Sequence, residues 1–193
     1  KKQTKQMKKL ILATGILMAS QFSFAQKEIS GVTPAKSVEI SGKTLTFNGA
    51  GLREKWFLDL YVGALYTNNK TSDRNVVMDN NENMAISLDI VSSLITSEKM
   101  LATINEGFNN STKNKTEPFK DQIRLFKAAF KEEIKIGDHF VIAYIKELGT
   151  EIYKNGTKIK TIPALDFKKV LFGIWFCDVP ADKDLMNGML GIN

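Results

Sequence analysis

Of the 27 basic residues in this 193-residue chain, only Arg53, Arg74 and Arg124 are arginines. Arg53 has the most suggestive setting. It follows Gly49-Ala50-Gly51, which reads as a flexible turn, and it precedes a strongly apolar run from Trp56 to Tyr66. A guanidinium at the mouth of an apolar strand can fork onto a carboxylate or enolate oxygen while the strand lines a greasy pocket. A surface arginine in an ion pair is the competing reading, and the residues alone leave both standing.

Other chemistry is restricted by composition. One cysteine (Cys177) and one histidine (His139) cannot make a Cys/His zinc site or a disulfide framework, so no metal and no cofactor are expected. A nucleophilic triad would have to run through His139. That residue lies between Asp138 and Phe140 at a strand start, no serine sits in a G-x-S-x-G context, and it reads as structural or surface. Cys177, preceded by Trp175 and Phe176, reads as a buried small hydrophobe. Asn48 to Gly51 is not a phosphate cradle, because a third glycine and a following helix are both missing.

The formal charge of +6 suggests nucleic acid until its distribution is considered. Lys1, Lys2, Lys5, Lys8 and Lys9 fall in the first 25 residues, which hold no acid; the remainder has 22 basic and 21 acidic residues, a net of +1. Nucleic acid is therefore not an expected partner. From Met7 the chain reads Met-Lys-Lys, an apolar run from Leu10 to Ala19, then Ser23-Phe24-Ala25. This is the pattern of a secretory signal peptide cleaved after Ala25. The expected organisation is upstream residues and signal over 1–25, then a single domain over 26–193. No later apolar run reaches the roughly 18 residues that span a bilayer. No cysteine follows the cleavage point to carry a lipid anchor. The expected product is soluble and exported, either periplasmic or secreted.

The elements that must position Arg53 follow from periodicity. Lys36 to Ile40, Ser41-Gly42 and Lys43 to Phe47 form one expected hairpin; Thr150 to Lys154, Asn155-Gly156 and Thr157 to Ile162 form another. Trp56 to Tyr66 reads as a strand covered on both faces. Met84 to Val91 alternates, with Ala85, Ser87 and Asp89 on one face and Met84, Ile86, Leu88 and Ile90 on the other. Phe140 to Ile145 is a further strand. Ser97 to Phe108 is an expected helix capped by Thr96 or Ser97, and Glu117 to Glu133 repeats Phe119, Ile123, Phe126 and Phe130 at helical spacing. Asp166 and Asp182 are expected to cap two last helices. Strands and helices segregated in runs argue an α+β fold with a mainly antiparallel sheet.

Asn48-Gly49-Ala50-Gly51-Leu52-Arg53, followed by Leu60-Tyr61-Val62-Gly63-Ala64-Leu65-Tyr66, resembles the opening of chalcone isomerase-like proteins. Phe167 to Trp175, Asp178-Val179-Pro180 and Leu190-Gly191 resemble the tail of the family's bacterial exported branch, and Gly31-Val32 and Gly137-Asp138 fit the same template. The likeness covers Ile29 to Gly191. It implies an open-faced β-sandwich, a large mainly antiparallel sheet backed by helices with a ligand cleft between. In the plant isomerases of this family an arginine after the Gly-x-Gly turn stabilises a phenolate or enolate during intramolecular Michael addition, and Arg53 matches it. Their helix tyrosine falls about at Thr96 here, their asparagine at Thr103 or Asn105, and their two threonines at Leu60 and Gly173. Only the arginine matches, so flavanone closure lacks its ordered hydroxyl network.

Non-catalytic relatives bind fatty acids, with the arginine on the carboxylate. The resemblance thus implies an exported binder of a small amphipathic anion, with Arg53 and Thr96 as ligand-binding positions and Trp56, Phe57, Tyr61 and Tyr66 as candidate lining. An intramolecular lyase acting on an enone and a structural or partner-binding envelope protein stay open beside it.

Overall fold

Two hairpin loops obey ordinary turn chemistry. Ser41-Gly42 (φ 48° and 71°) and Asn155-Gly156 (φ 51° and 79°) put positive φ at both central positions, the twist that type I′ turns impose on flanking strands. The computed structural model describes residues 27–192; the expected leader at 1–25 lies outside the described residues. The strands are β1 (Ser37–Ile40), β2 (Lys43–Lys55), β3 (Leu58–Thr67), β4 (Met84–Ile90), β5 (His139–Ile145), β6 (Gly149–Lys154) and β7 (Thr157–Ile162). They form one antiparallel sheet in chain order, so each strand pairs with its sequence neighbour. The helices are α1 (Arg74–Asp79), α2 (Ser97–Ser111), α3 (Lys120–Ala128), α4 (Leu165–Phe176) and α5 (Lys183–Met189), with a 3₁₀ turn at Glu117–Phe119 leading into α3.

The helices cover one face of the sheet and close the larger core. Phe108 of α2 meets Phe126 of α3 edge to face at 5.8 Å, and Phe130 stacks on Phe140 of β5 at 4.9 Å. Leu65, Ile86 and Ile142 from the sheet join Phe167, Leu171 and Phe172 of α4 in the same cluster. The opposite face carries a smaller core of Leu45, Tyr66, Ala85, Val141, Ala143 and Ile145. The sheet itself seals it by curling. Ser41, in the β1–β2 turn, donates to Glu151 on β6 at 2.6 Å. Tyr153 Oη and Lys158 Nζ also donate to that buried carboxylate, each at 2.8 Å. These donors outweigh burial and hold the Glu151 carboxyl below its ordinary value. The result is a curled, open-faced half-barrel backed by helices, the expected α+β architecture.

Local expectations fail in identifiable places. Gly49 to Gly51 is not a turn: β2 continues through it, with a register shift just before it between Phe47 and Gly49. Its glycines serve close packing, because α5 lies directly on the strand. A Cβ at Gly49 would sit 2.3 Å from the Gly188 carbonyl oxygen, and one at Gly51 would sit 2.9 Å from Leu185 Cα. Asn48 fastens the same contact, donating to the Met189 carbonyl at 2.8 Å.

The apolar run expected as strand from Trp56 begins pairing only at Leu58, and Trp56-Phe57 forms the β2–β3 turn. The helix expected to reach Glu133 stops at Ala128. Beyond it, the Phe130 carbonyl accepts from Ser97 Oγ at 2.5 Å while the ring stays buried. Asp166 does not cap α4. The helix starts behind Ala164, and Asp166 lies in its first turn, where a carboxylate still suits the helix dipole. Thr96 and Asp182 do cap α2 and α5.

Helix α1, absent from the pattern reading, is held by Lys168 of α4. The buried Lys168 Nζ donates to the carbonyls of Val77, Met78 and Asn80 at 2.5, 3.0 and 3.0 Å, closing the C-terminal end of α1. Burial pushes this ammonium down to about 8.

Candidate functional site

Side chains alternate along β2, so Gly49, Gly51 and Arg53 share the helix-facing side. Gly49 lies under Gly188, and Gly51 lies under Asp184 and Leu185, near the first turn of α5. Arg53, the next residue on that face, therefore emerges just past the N-terminal end of the helix. Its cross-strand partner is Tyr61, and the guanidinium carbon stands 5.7 Å from the centre of that ring. Tyr61 is fixed from the other side by Trp175 of α4, whose Nε1 donates to the phenol oxygen at 3.0 Å. Burial raises the Tyr61 phenol above its ordinary value, and the nearby guanidinium offsets part of that rise. At neutral pH Tyr61 is a protonated phenol.

Arg53, Tyr61, Lys55, Trp56, Leu58 and Leu60 form one wall of a cavity of about 480 Å³. The facing wall comes from the approach to α2 and its first turns: Leu94, Ile95, Lys99, Met100, Ala102, Thr103 and Glu106. The volume falls within the range of roughly 300–1,000 Å³ typical of small-molecule clefts. Arg74 is bound to Asp178 at 2.6 Å and Arg124 to Asp121 at 3.3 Å. Arg53, in contrast, has no carboxylate within ion-pair distance among the described residues. The phenol proton of Tyr61 likewise meets no acceptor among them. A guanidinium with no carboxylate partner and a neutral O–H with no acceptor thus stand together on a mainly apolar cavity. That arrangement can take a carboxylate.

A second hollow of about 620 Å³ lies between α2 and α3, lined by Asn105, Phe108, Ile123, Lys120, Arg124, Lys127 and Lys131 among others. It is larger, but two of its cations are already matched, Lys120 by Glu117 and Arg124 by Asp121. It contains neither Arg53 nor any strand residue.

The expected positions separate cleanly in space. Arg53, Leu60 and Thr103 reach the cavity, whereas Asn105 lines the other hollow. Thr96 is not a lining residue; its Oγ1 accepts from the Lys99 amide at 3.3 Å as the N-cap of α2. Gly173 packs against Ser111, where a Cβ would come within 2.1 Å of the hydroxyl. Among the four aromatic candidates, Trp56 and Tyr61 line the cavity. Phe57 is 99% exposed at the turn, and Tyr66 belongs to the small core on the opposite face.

His139 is also distant in function. Its Nδ1 meets Asp89 Oδ1 at 2.6 Å across β4 and β5, on the sheet face away from α2. Cys177 is only half-buried, and its Sγ donates to the Val179 carbonyl at 3.2 Å. Pattern reasoning missed Trp175 as a site residue, although its spacing of four from Leu171 places it on the same stripe of α4.

The family model described as chalcone isomerase-like matches residues 26–191. The chain belongs to the chalcone isomerase-like family. Among solved structures, this chalcone isomerase-like chain is similar to the crystal structure of a fatty-acid binding protein from Arabidopsis thaliana, with a TM-score of 0.66 at 15% identity. The likeness covers 86% of this chain and 94% of that one. At such low identity it shows a shared fold. A comparison with curated protein sequences finds no match. Among the described residues no helix is long and apolar enough to cross a membrane, and no three of His, Cys, Asp and Glu gather to hold a metal ion.

Proposed function

We propose that this member of the family is a non-catalytic binder of a fatty acid or similar small amphipathic anion, held in the cavity beneath α2. The observation that carries this reading is the Arg53 guanidinium, which faces an apolar cavity without a carboxylate partner and beside the protonated Tyr61. A bound carboxylate would take charge-assisted hydrogen bonds from Arg53 and the O–H of Tyr61, each contributing about 1.5–3 kcal/mol when shielded from water. The acyl tail would run along Leu58, Leu60, Leu94, Ile95 and Met100, gaining about 0.8 kcal/mol per buried methylene.

A fatty-acid binding protein of the same fold supports the ligand class. The Met7 to Ala25 pattern supports export to the periplasm or beyond. Isomerisation has less support: the Thr96 hydroxyl is engaged in capping, and Leu60 and Gly173 offer no hydroxyl at the two threonine positions.

The test is native mass spectrometry and titration of residues 26–193 with a saturated sixteen-carbon fatty acid. The parent should hold one equivalent, and Arg53→Ala should weaken binding at least about tenfold. A parent that stays empty at every concentration of the acid would remove this reading, and Arg53-dependent cyclisation of a chalcone would replace it.

A further inference from the structure

Three two-residue loops of this sheet share one geometry, and their sequences differ in a telling way. Ser41-Gly42 and Asn155-Gly156 use residues suited to positive φ. The β2–β3 loop places Trp56 (φ 51°) and Phe57 (φ 65°) in the same left-handed region, where bulky side chains are strained. Burial offers no compensation, because Trp56 is 83% and Phe57 99% exposed. Leu58 and Leu94 beside them are also exposed, and Trp56, Leu58 and Leu94 are at once rim residues of the cavity. An apolar, aromatic knob therefore projects at the cavity mouth. Lys55 lies against it, with Nζ 5.4 Å from the Trp56 ring, and Lys99 is on the facing wall.

We propose that this hairpin tip docks the protein onto an anionic lipid bilayer, seating the Trp56 and Phe57 rings among the headgroups and turning the cavity mouth toward the membrane. Tryptophan partitions to the water–lipid interface because its ring is apolar while its N–H remains hydrated, and the Phe57 ring adds apolar area beside it. Lys55 and Lys99 complement an anionic headgroup layer. The shape argues against a protein partner. A standard interface covers roughly 800 Å² on each side, more than four side chains around a two-residue turn supply. The docking reading goes beyond the ligand proposed above and does not depend on what fills the cavity.

The experiment uses residues 26–193, which carry the whole described fold and omit an apolar leader that would bind lipid by itself. The parent is floated with phosphatidylcholine vesicles, with and without phosphatidylglycerol, and compared with Phe57→Gly and with the double variant Trp56→Asn/Phe57→Gly. The parent should float with anionic vesicles. Phe57→Gly should lose about fivefold or more in partitioning and the double variant about tenfold or more, while both melt no lower than the parent because the new residues suit the turn. Brominated lipid should quench the parent's tryptophan emission, with buried Trp175 contributing a constant background.

Phe57 does not line the cavity, so Phe57→Gly should bind the sixteen-carbon acid in vesicle-free solution as the parent does. Failure of docking is thereby read separately from failure of ligand binding. A parent that remains in the buffer, or variants that float equally well, would overturn the proposal. So would a parent dimer, seen by sedimentation, that the double variant converts to monomer.

Discussion

His139 and Asp89 show how much of a residue's role depends on its cross-strand neighbour. Forty-nine intervening residues separate them in sequence, yet the β4–β5 register sets them opposite each other with 2.6 Å between Nδ1 and Oδ1. The aspartate hydrogen bond raises the imidazole above its ordinary value against the opposing effect of burial. A raised folded value means that the protonated form is the one the fold favours. The stabilisation is full below the ordinary histidine range and is lost as pH rises through the raised value. Asp89→Asn should therefore destabilise the fold more at about pH 5.5 than at about pH 9, checked by urea unfolding at both. Because 39% of the imidazole side chain is exposed, the difference should stay below about 1 kcal/mol. Arg53 belongs to the same scale. Its type was legible as chemistry in the sequence, but its lack of a carboxylate partner depends on what the folded chain places around it.

At the scale of elements, the Gly-x-Gly segment carries the clearest lesson. Glycine marks both flexible turns and close backbone approaches, and nothing local in Asn48-Gly49-Ala50-Gly51 distinguishes the two. The deciding partner is α5, some 140 residues later in the chain, which brings the Gly188 carbonyl within 2.3 Å of a Cβ at Gly49. Gly49→Ala should accordingly cost about 3 kcal/mol, because backbone rather than a flexible side chain must give way. Chemical denaturation measures it, and a change below about 0.5 kcal/mol would show that α5 moves freely on the strand. The Trp56-Phe57 turn was hidden for a related reason. Turn signals are read from Gly, Asn and Asp, so two aromatics within an apolar run look like the strand they interrupt. The caps at Thr96 and Asp182 were legible because an N-cap is satisfied within three residues of itself.

Across the whole molecule, the sheet must close a core on the face that no helix among the described residues covers. It does so by curling until the β1–β2 turn reaches β6, and Glu151 is the fastening point. Its carboxyl is held below its ordinary value, so this contribution is present above the usual carboxylate range and fades as pH falls through the depressed value. Glu151→Gln should destabilise by about 1–3 kcal/mol and should speed amide exchange in β1 and the start of β2 ahead of β4 and β5. Uniform exchange across the sheet would show that curling does not depend on this link. The sequence by itself determined the antiparallel strands, two of the hairpin turns, the buried stripes of the helices and the arginine as the residue to watch. All of these rest on interactions between near neighbours or on a fixed side-chain period. The tertiary structure alone decided that the glycines seat a helix, that Thr103 rather than Thr96 or Asn105 faces the cavity, and that Tyr61 and Trp175 stand with Arg53. Those outcomes depend on contacts between segments far apart in the chain, which no local period encodes.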